Sequence, residues 1–269
     1  MEHRVLGVLG ASGGLGASTM AVALALRASS AVGATACVDA VFERGGLDVT
    51  ACLEHVDGLR WSDLAQLSGE VDAADLLRSL PADGVLRVLG ARGQEPPADV
   101  VETCVRALSS LCGMTVLDLG GSLRWAGLCT DVVLLSGVTA RHLADASAMA
   151  EGLGGLRRTE GAGPGGSGSW GAGSWGGGSS GGGSSGAGSS GAGPAGSLVL
   201  RAGRREAVTA EEVAVHLDLP WAATLRDDPR VATDADRARV PGTRRTGALV
   251  EAVDRVLAHL DLGAGRLTA

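Results

Sequence analysis

A glycine-rich stretch, Gly10-Ala-Ser-Gly-Gly-Leu-Gly16, joins a short apolar run at residues 4–9 to a helical pattern at 18–27. Glycines at a strand-to-helix turn let backbone N–H groups converge at the helix N-terminus, where negative charge is favoured. Further apolar runs at 34–39, 85–90, 115–119, 132–136 and 198–201 have the look of buried strands. Helical patterns at 61–67, 73–80, 99–111, 140–153 and 248–260 lie between and after them. Thr209-Ala-Glu-Glu212 opens another helix with capping-box spacing. Apolar strands alternating with amphipathic helices predict an α/β fold, a mostly parallel sheet with helices on both faces.

The pattern stops between residues 161 and 197, which are almost wholly Gly, Ser and Ala with Trp170 and Trp175 embedded. Such a segment buries too little apolar surface to offset its ordering entropy and is expected to be a disordered insert. The chain is therefore read as one domain, 1–160 plus 198–262, with the insert at 161–197 and a flexible tail at 263–269. Because the insert leaves a helix and enters a strand, it is expected at the edge where strands begin. Phosphate loops lie at the opposite edge, where strands end.

All 23 basic residues are arginine; lysine is absent. In a Walker-type loop, lysine neutralises the β/γ charge of a bound triphosphate and the next Ser/Thr hydroxyl holds Mg²⁺. Here Gly13-Gly-Leu-Gly-Ala-Ser-Thr19 supplies hydroxyls at Ser18 and Thr19, but Ala17 stands in the lysine position. A purely structural turn would also want glycine, so the loop alone leaves that alternative open. Two acids at strand ends strengthen the phosphate reading: Asp39 after Cys37-Val, and Asp118 closing Met114-Thr-Val-Leu-Asp118. The second has the form that holds Mg²⁺ through water. Candidate cofactor-binding residues are thus Gly13, Gly14, Gly16, Ala17, Ser18, Thr19, Asp39 and Asp118, with Ser18 and Asp118 as Mg²⁺ ligands if nucleotide binds. No residue is assigned a catalytic role.

The formal net charge of −7 argues against nucleic acid held by bulk electrostatics. Five cysteines without a Cys-x-x-Cys pair read as buried thiols of a reducing cytosol. The histidines, His3, His55, His142, His216 and His259, have no metal-ligand spacing. No uninterrupted apolar run reaches about 18 residues, so membrane contact is expected to be peripheral at most. Trp61 and Trp125, each after an arginine, are read as packing anchors. Leu249, Val253, Val256, Leu257 and Leu260 form one face of the last helix and are expected to pack on the sheet.

The chain resembles the MinD/ParA superfamily of deviant P-loop ATPases, and within it the CpaE-like, septum site-determining proteins of helicase/secretion neighbourhoods. The likeness rests on Gly13-Gly-Leu-Gly-Ala-Ser-Thr19, Val38-Asp39 with Gly45-Gly-Leu-Asp48, Gly58-Leu-Arg-Trp-Ser-Asp-Leu64, Leu80-Pro81, Val116-Leu-Asp118 and Asp131-Val-Val-Leu-Leu135. It implies a P-loop NTPase-like sheet, ATP/ADP with Mg²⁺ as cofactor, and homodimerisation in active members. It also implies protein partners in division or Tad-type pilus/secretion machinery, with a cytoplasmic protein recruited to septum or pole. The departures are specific. The family's signature lysine is Ser12, its loop lysine is Ala17, and the second acid of its Asp-x-Asp is Val41.

Magnitudes separate binding from turnover. Losing one charge-assisted hydrogen bond costs about 1.5–3 kcal/mol, or about 10- to 150-fold in affinity. Each preorganised donor to transition-state charge is worth about 10²–10³ in rate, so two missing lysines remove on the order of 10⁴–10⁶. Weak nucleotide binding with little or no hydrolysis is expected. The alternatives are an ATPase that borrows an arginine, with Arg44 or Arg124 as candidates, and a ParA-like partitioning protein.

Overall fold

The computed structural model describes residues 3–43, 46–67, 69, 71–93, 95–161, 193–203 and 208–261, residues 159–161 by their backbone. The amino-terminal half runs β1 (Arg4–Gly10), α1 (Ala17–Val32), β2 (Thr35–Asp39), α2 (Leu47–Thr50), α3 (Trp61–Leu64), α4 (Ala73–Ser79), β3 (Ala82–Asp83), β4 (Leu86–Leu89) and α5 (Ala98–Leu111). There follow β5 (Met114–Gly120), β6 (Asp131–Ser136), α6 (Ala140–Gly161), β7 (Ala195–Ala202), α7 (Ala210–Leu217), β8 (Trp221–Arg226), α8 (Pro229–Ala235) and α9 (Ala248–His259).

The apolar runs became strands because a parallel sheet is covered on both faces. Leu6, Val8 and Leu9 of β1, and Val116 and Leu117 of β5, are fully or almost fully buried. The eight strands lie in the order β3-β4-β2-β5-β1-β6-β7-β8. All neighbouring pairs are parallel except β3 with β4. The connection from β1 to β2 moves one way along this order; those from β4 to β5, β6 to β7 and β7 to β8 move the other way. Right-handed crossovers then set α1 on one face and α5, α6 and α7 on the opposite face. Helix α9 joins α1, tied by Arg27, whose guanidinium donates to Asp254 at 2.6 and 2.8 Å. The predicted face of that helix, Leu249, Val253, Val256, Leu257 and Leu260, is buried.

The boundaries of the Gly/Ser-rich segment differ from expectation. Strand β7 begins at Ala195 rather than 198, and Ala195 pairs with Asp131 of β6, its N–H donating to Thr130 O at 3.0 Å. Small residues start this strand because Leu219 presses on it: a Cβ at Gly196 would meet the Leu219 side chain at 2.8 Å. Helix α6 continues to Gly161 instead of ending at 153. Gly154 and Gly155, which interrupt the apolar pattern there, have no such packing role, since a Cβ at Gly155 would meet nothing within 4 Å. Only Gly152, inside the expected span, is crowded, its Cβ falling 2.3 Å from Leu123 Cδ1. The described ends of the segment thus lie at the edge where β6 and β7 begin. Trp170, Trp175, residues 162–192 and the tail at 263–269 lie outside the described residues. All five cysteines are free. No described helix is long and apolar enough to cross a membrane.

Candidate functional site

At the carboxyl edge of the central strands, the chain leaves β1 toward one side and β5 toward the other, opening a crevice of the kind where α/β sheets bind ligands. A cleft of about 670 Å³ lies there, lined by residues 10–19, 40–43 and 119–122 together with Glu95, Arg124 and Trp125. Its floor is the glycine loop. Gly14 (φ 79°) and Gly16 (φ 92°) occupy the left-handed region that the turn requires. Gly13 does not, yet a Cβ at Gly13, Gly14 or Gly16 would meet no atom within 4 Å. A turn built only for chain reversal would not need glycine at position 13. The open space above the loop is what a backbone cradle for an anion requires. Gly16 also caps α1, a helix of 16 residues whose N-terminus opens on the cleft.

The sequence-predicted residues divide into two groups. Gly13, Gly14, Gly16, Ala17, Ser18 and Thr19 line the cleft. Asp39 and Asp118 lie behind it, side by side on β2 and β5 and 2% exposed each. Burial raises the Asp118 carboxyl above its ordinary range, opposed by hydrogen bonds from Ser18 and from the Gly120 N–H at 3.1 Å. A hydroxyl and a carboxylate thus adjoin at the base of the loop, a donor pair that suits Mg²⁺. Asp39 does not join them. Its oxygens accept from the N–H groups of Val41 at 2.9 Å, Leu47 at 2.7 Å and Ala91 at 3.2 Å. It organises the chain leaving β2, and burial raises its carboxyl to about 6 against those three bonds. Val41 packs against Gly120, where a Cβ would meet it at 2.6 Å.

Ser12, in the signature-lysine position, donates to Asp145 of α6 at 2.7 Å. That bond, followed by Arg141, holds Asp145 below the usual carboxylate range. Arg201, at the end of β7, donates to Gly14 O at 2.7 Å and to Asp227 at 2.8 and 2.9 Å, fastening the loop from the side. Arg124 enters the cleft beside Glu95, with its Nη1 2.7 Å from Oε1, and lies over the Trp125 ring at 5.0 Å. Arg44 lies outside the described residues. Trp61 is fully buried, edge-on to Phe42, and donates to Asp39 O at 2.8 Å. Asp145, Glu95 and Arg201 carried no sequence signal, because folding alone brings them to the loop.

The motif residues at 48 and 60 form a buried ion cluster. Asp48 is fully buried and accepts from Arg60 at 2.8 Å and from Arg92 at 2.8 and 3.2 Å. Arg60, 6% exposed, also donates to the carbonyls of Leu53, Val56 and Gly58. Gly46 and Gly90 make room for this carboxylate, since a Cβ at either would lie within 3.0 Å of Asp48 atoms. The cluster is structural, supporting the cleft from behind. Among the described residues, no group of three or more His, Cys, Asp or Glu is placed to hold a metal ion.

Fold and loop together define an α/β protein of the P-loop type, with a glycine cradle at the N-terminus of its first helix. Solved structures carry this further. A ParA family ATPase from Chlorobium tepidum superposes with a TM-score of 0.71 at 14% identity, over 96% of this chain and 99% of that one. MinD from Pyrococcus horikoshii, a septum site-determining protein complexed with Mg-ADP, gives 0.66 at 13% identity over 96% of each chain. The chain therefore has the fold of the ParA and MinD ATPases. No known protein-family profile matches it. An uncharacterized protein of Mycobacterium tuberculosis, recorded from two strains, is 30% identical over 97% of this chain. The chain spans 65% of that relative's length.

Proposed function

We propose that this chain is a MinD/CpaE-like positioning or regulatory protein that holds ATP or ADP with Mg²⁺ weakly and hydrolyses it slowly or not at all. The observation that carries this is the open cradle over Gly13, Gly14 and Gly16 in a chain without lysine. The amides of residues 13–19 and the hydroxyls of Ser18 and Thr19 would hold the phosphates; Ser18 and Asp118 would hold Mg²⁺. A bound Mg²⁺ would supply charge neutralisation that the loop lacks. The Mg-ADP bound to the Pyrococcus MinD supports the same kind of ligand here. Transition-state charge is the shortfall: no lysine can reach it, and Ser12 is occupied with Asp145.

Function through partners follows from a site that senses nucleotide without turning it over. The sequence resemblance supports a reading in which those partners are proteins of septum placement or Tad-type pilus/secretion assembly, met in the cytoplasm, at the septum or at a pole. Homodimerisation accompanies nucleotide in that family. An arginine-assisted ATPase is the second reading, favoured by Arg124 in the cleft lining. Calorimetric titration with Mg·ATP tests the proposal: wild type is expected to bind, and Gly13→Ala, whose methyl meets no protein atom, to fold equally well and not bind. Equal binding by both would place the ligand elsewhere. Steady phosphate release abolished by Asp118→Ala would favour the ATPase.

A further inference from the structure

We propose that Glu95 gates the cleft by holding Arg124, so that a polyphosphate is gripped only by drawing Arg124 away from it. This rests on the nucleotide reading and adds what regulates the site. Among the described lining residues Arg124 is the sole basic side chain, while Glu43 and Glu95 are acids. With Arg124 paired to Glu95, an incoming polyanion meets amides, hydroxyls and the carboxylate of Glu43, which has no ion-pair partner among the described residues.

The pair is built to exchange. Its side chains are 56% and 33% exposed, and ion pairs so placed are weak enough to be traded. Arg124 keeps a platform during the trade, because Trp125 beneath it is 6% exposed and fixed. Glu95 and Arg124 also face a neighbouring cavity of about 500 Å³, lined with Gln66, Pro96 and Pro97. The two side chains therefore form a shared wall. Turning Arg124 onto a phosphate gives it a forked, charge-assisted partner and uncovers Glu95 Oε1, buried without a hydrogen bond under the guanidinium, to the second cavity that Glu95 lines.

The test is calorimetry with two probes, Mg·ATP and inorganic tripolyphosphate, on wild type, Glu95→Gln, Arg124→Ala and the double variant. Glu95→Gln is expected to tighten both probes by about three- to ten-fold. Arg124→Ala is expected to weaken them by about ten-fold or more, and the double variant to match Arg124→Ala. Tryptophan emission should change on adding tripolyphosphate to wild type and stay unchanged in Arg124→Ala. Glu95→Gln binding like wild type, or tightening that survives in the double variant, overturns the gate. Mg·ATP bound equally by all four overturns the gate and keeps the nucleotide reading. A tripolyphosphate response of the expected pattern without any for ATP keeps the gate and removes that reading. No heat with either probe in any variant overturns both.

Discussion

Asp39 and Asp118 stand side by side in the sheet, but only one has its charge answered by a hydroxyl at the loop. Asp39 relies on three backbone amides, and its carboxyl still rises from 3.8 to about 6, burial being the larger effect. A carboxyl raised on folding binds its proton more tightly in the native state. Its contribution to stability is full below the unfolded value of 3.8 and is lost as pH rises through about 6. Asp39→Asn keeps a neutral group there at every pH and also relieves the repulsion between Asp39 and Asp118, so the comparison reports the pair rather than Asp39 alone. The unfolding free energy of wild type relative to Asp39→Asn should therefore fall by about 1–3 kcal/mol between roughly pH 4 and pH 7. Urea unfolding at several pH values measures this, and a flat difference would mean that the Asp39–Asp118 pair does not take up a proton in that window.

Opposite behaviour belongs to the cluster joining α2, the N-terminus of α3 and the chain leaving β4. There Asp48 is held below 3.8: burial opposes ionisation, but Arg60 and Arg92 together outweigh it. Its contribution is present above the unfolded value and is lost as pH falls through the depressed one. Asp48→Asn strands a buried guanidinium with carbonyl partners only, and is expected to cost about 3 kcal/mol or more at neutral pH. A shift under about 1 kcal/mol in chemical denaturation would show that Arg60 finds water instead. This cluster also marks how far the sequence could be read at the level of elements. Strands β1, β2, β4, β5, β6 and β7 were legible because burial on both faces makes them continuously apolar. Edge strand β8 was not: only Ala223 and Leu225 of its residues are buried, so nothing continuous appears in the sequence. The glycine loop stood out from local spacing alone. Asp48, Arg60 and Arg92 meet across 44 residues, and Arg201 meets Gly14 across 187, so their pairing follows from topology rather than from any local pattern.

At the scale of the whole molecule, the cleft draws its walls from the ends of β1, β2 and β5, the centre of the sheet. Strands on both sides of residues 162–192 complete that sheet, β7 pairing with β6 through six residue positions. Arg201 on β7 reaches the loop itself, so the carboxyl-terminal strands share in the site they flank. A ligand that grips the loop should then stabilise one cooperative unit rather than a corner of it. At ten times its dissociation constant, a ligand bound only to the native state adds about 1.4 kcal/mol. For a domain of this size that is about 3–6 °C in melting temperature. Calorimetric melts with and without Mg·ATP should show a single transition moved upward by that amount. Gly13→Ala should melt where the ligand-free wild type does, with no response to nucleotide. A separate low-temperature transition indifferent to ligand would mean that β7 and β8 unfold apart from the loop. In that case the contact between Arg201 and Gly14 could not couple the two halves.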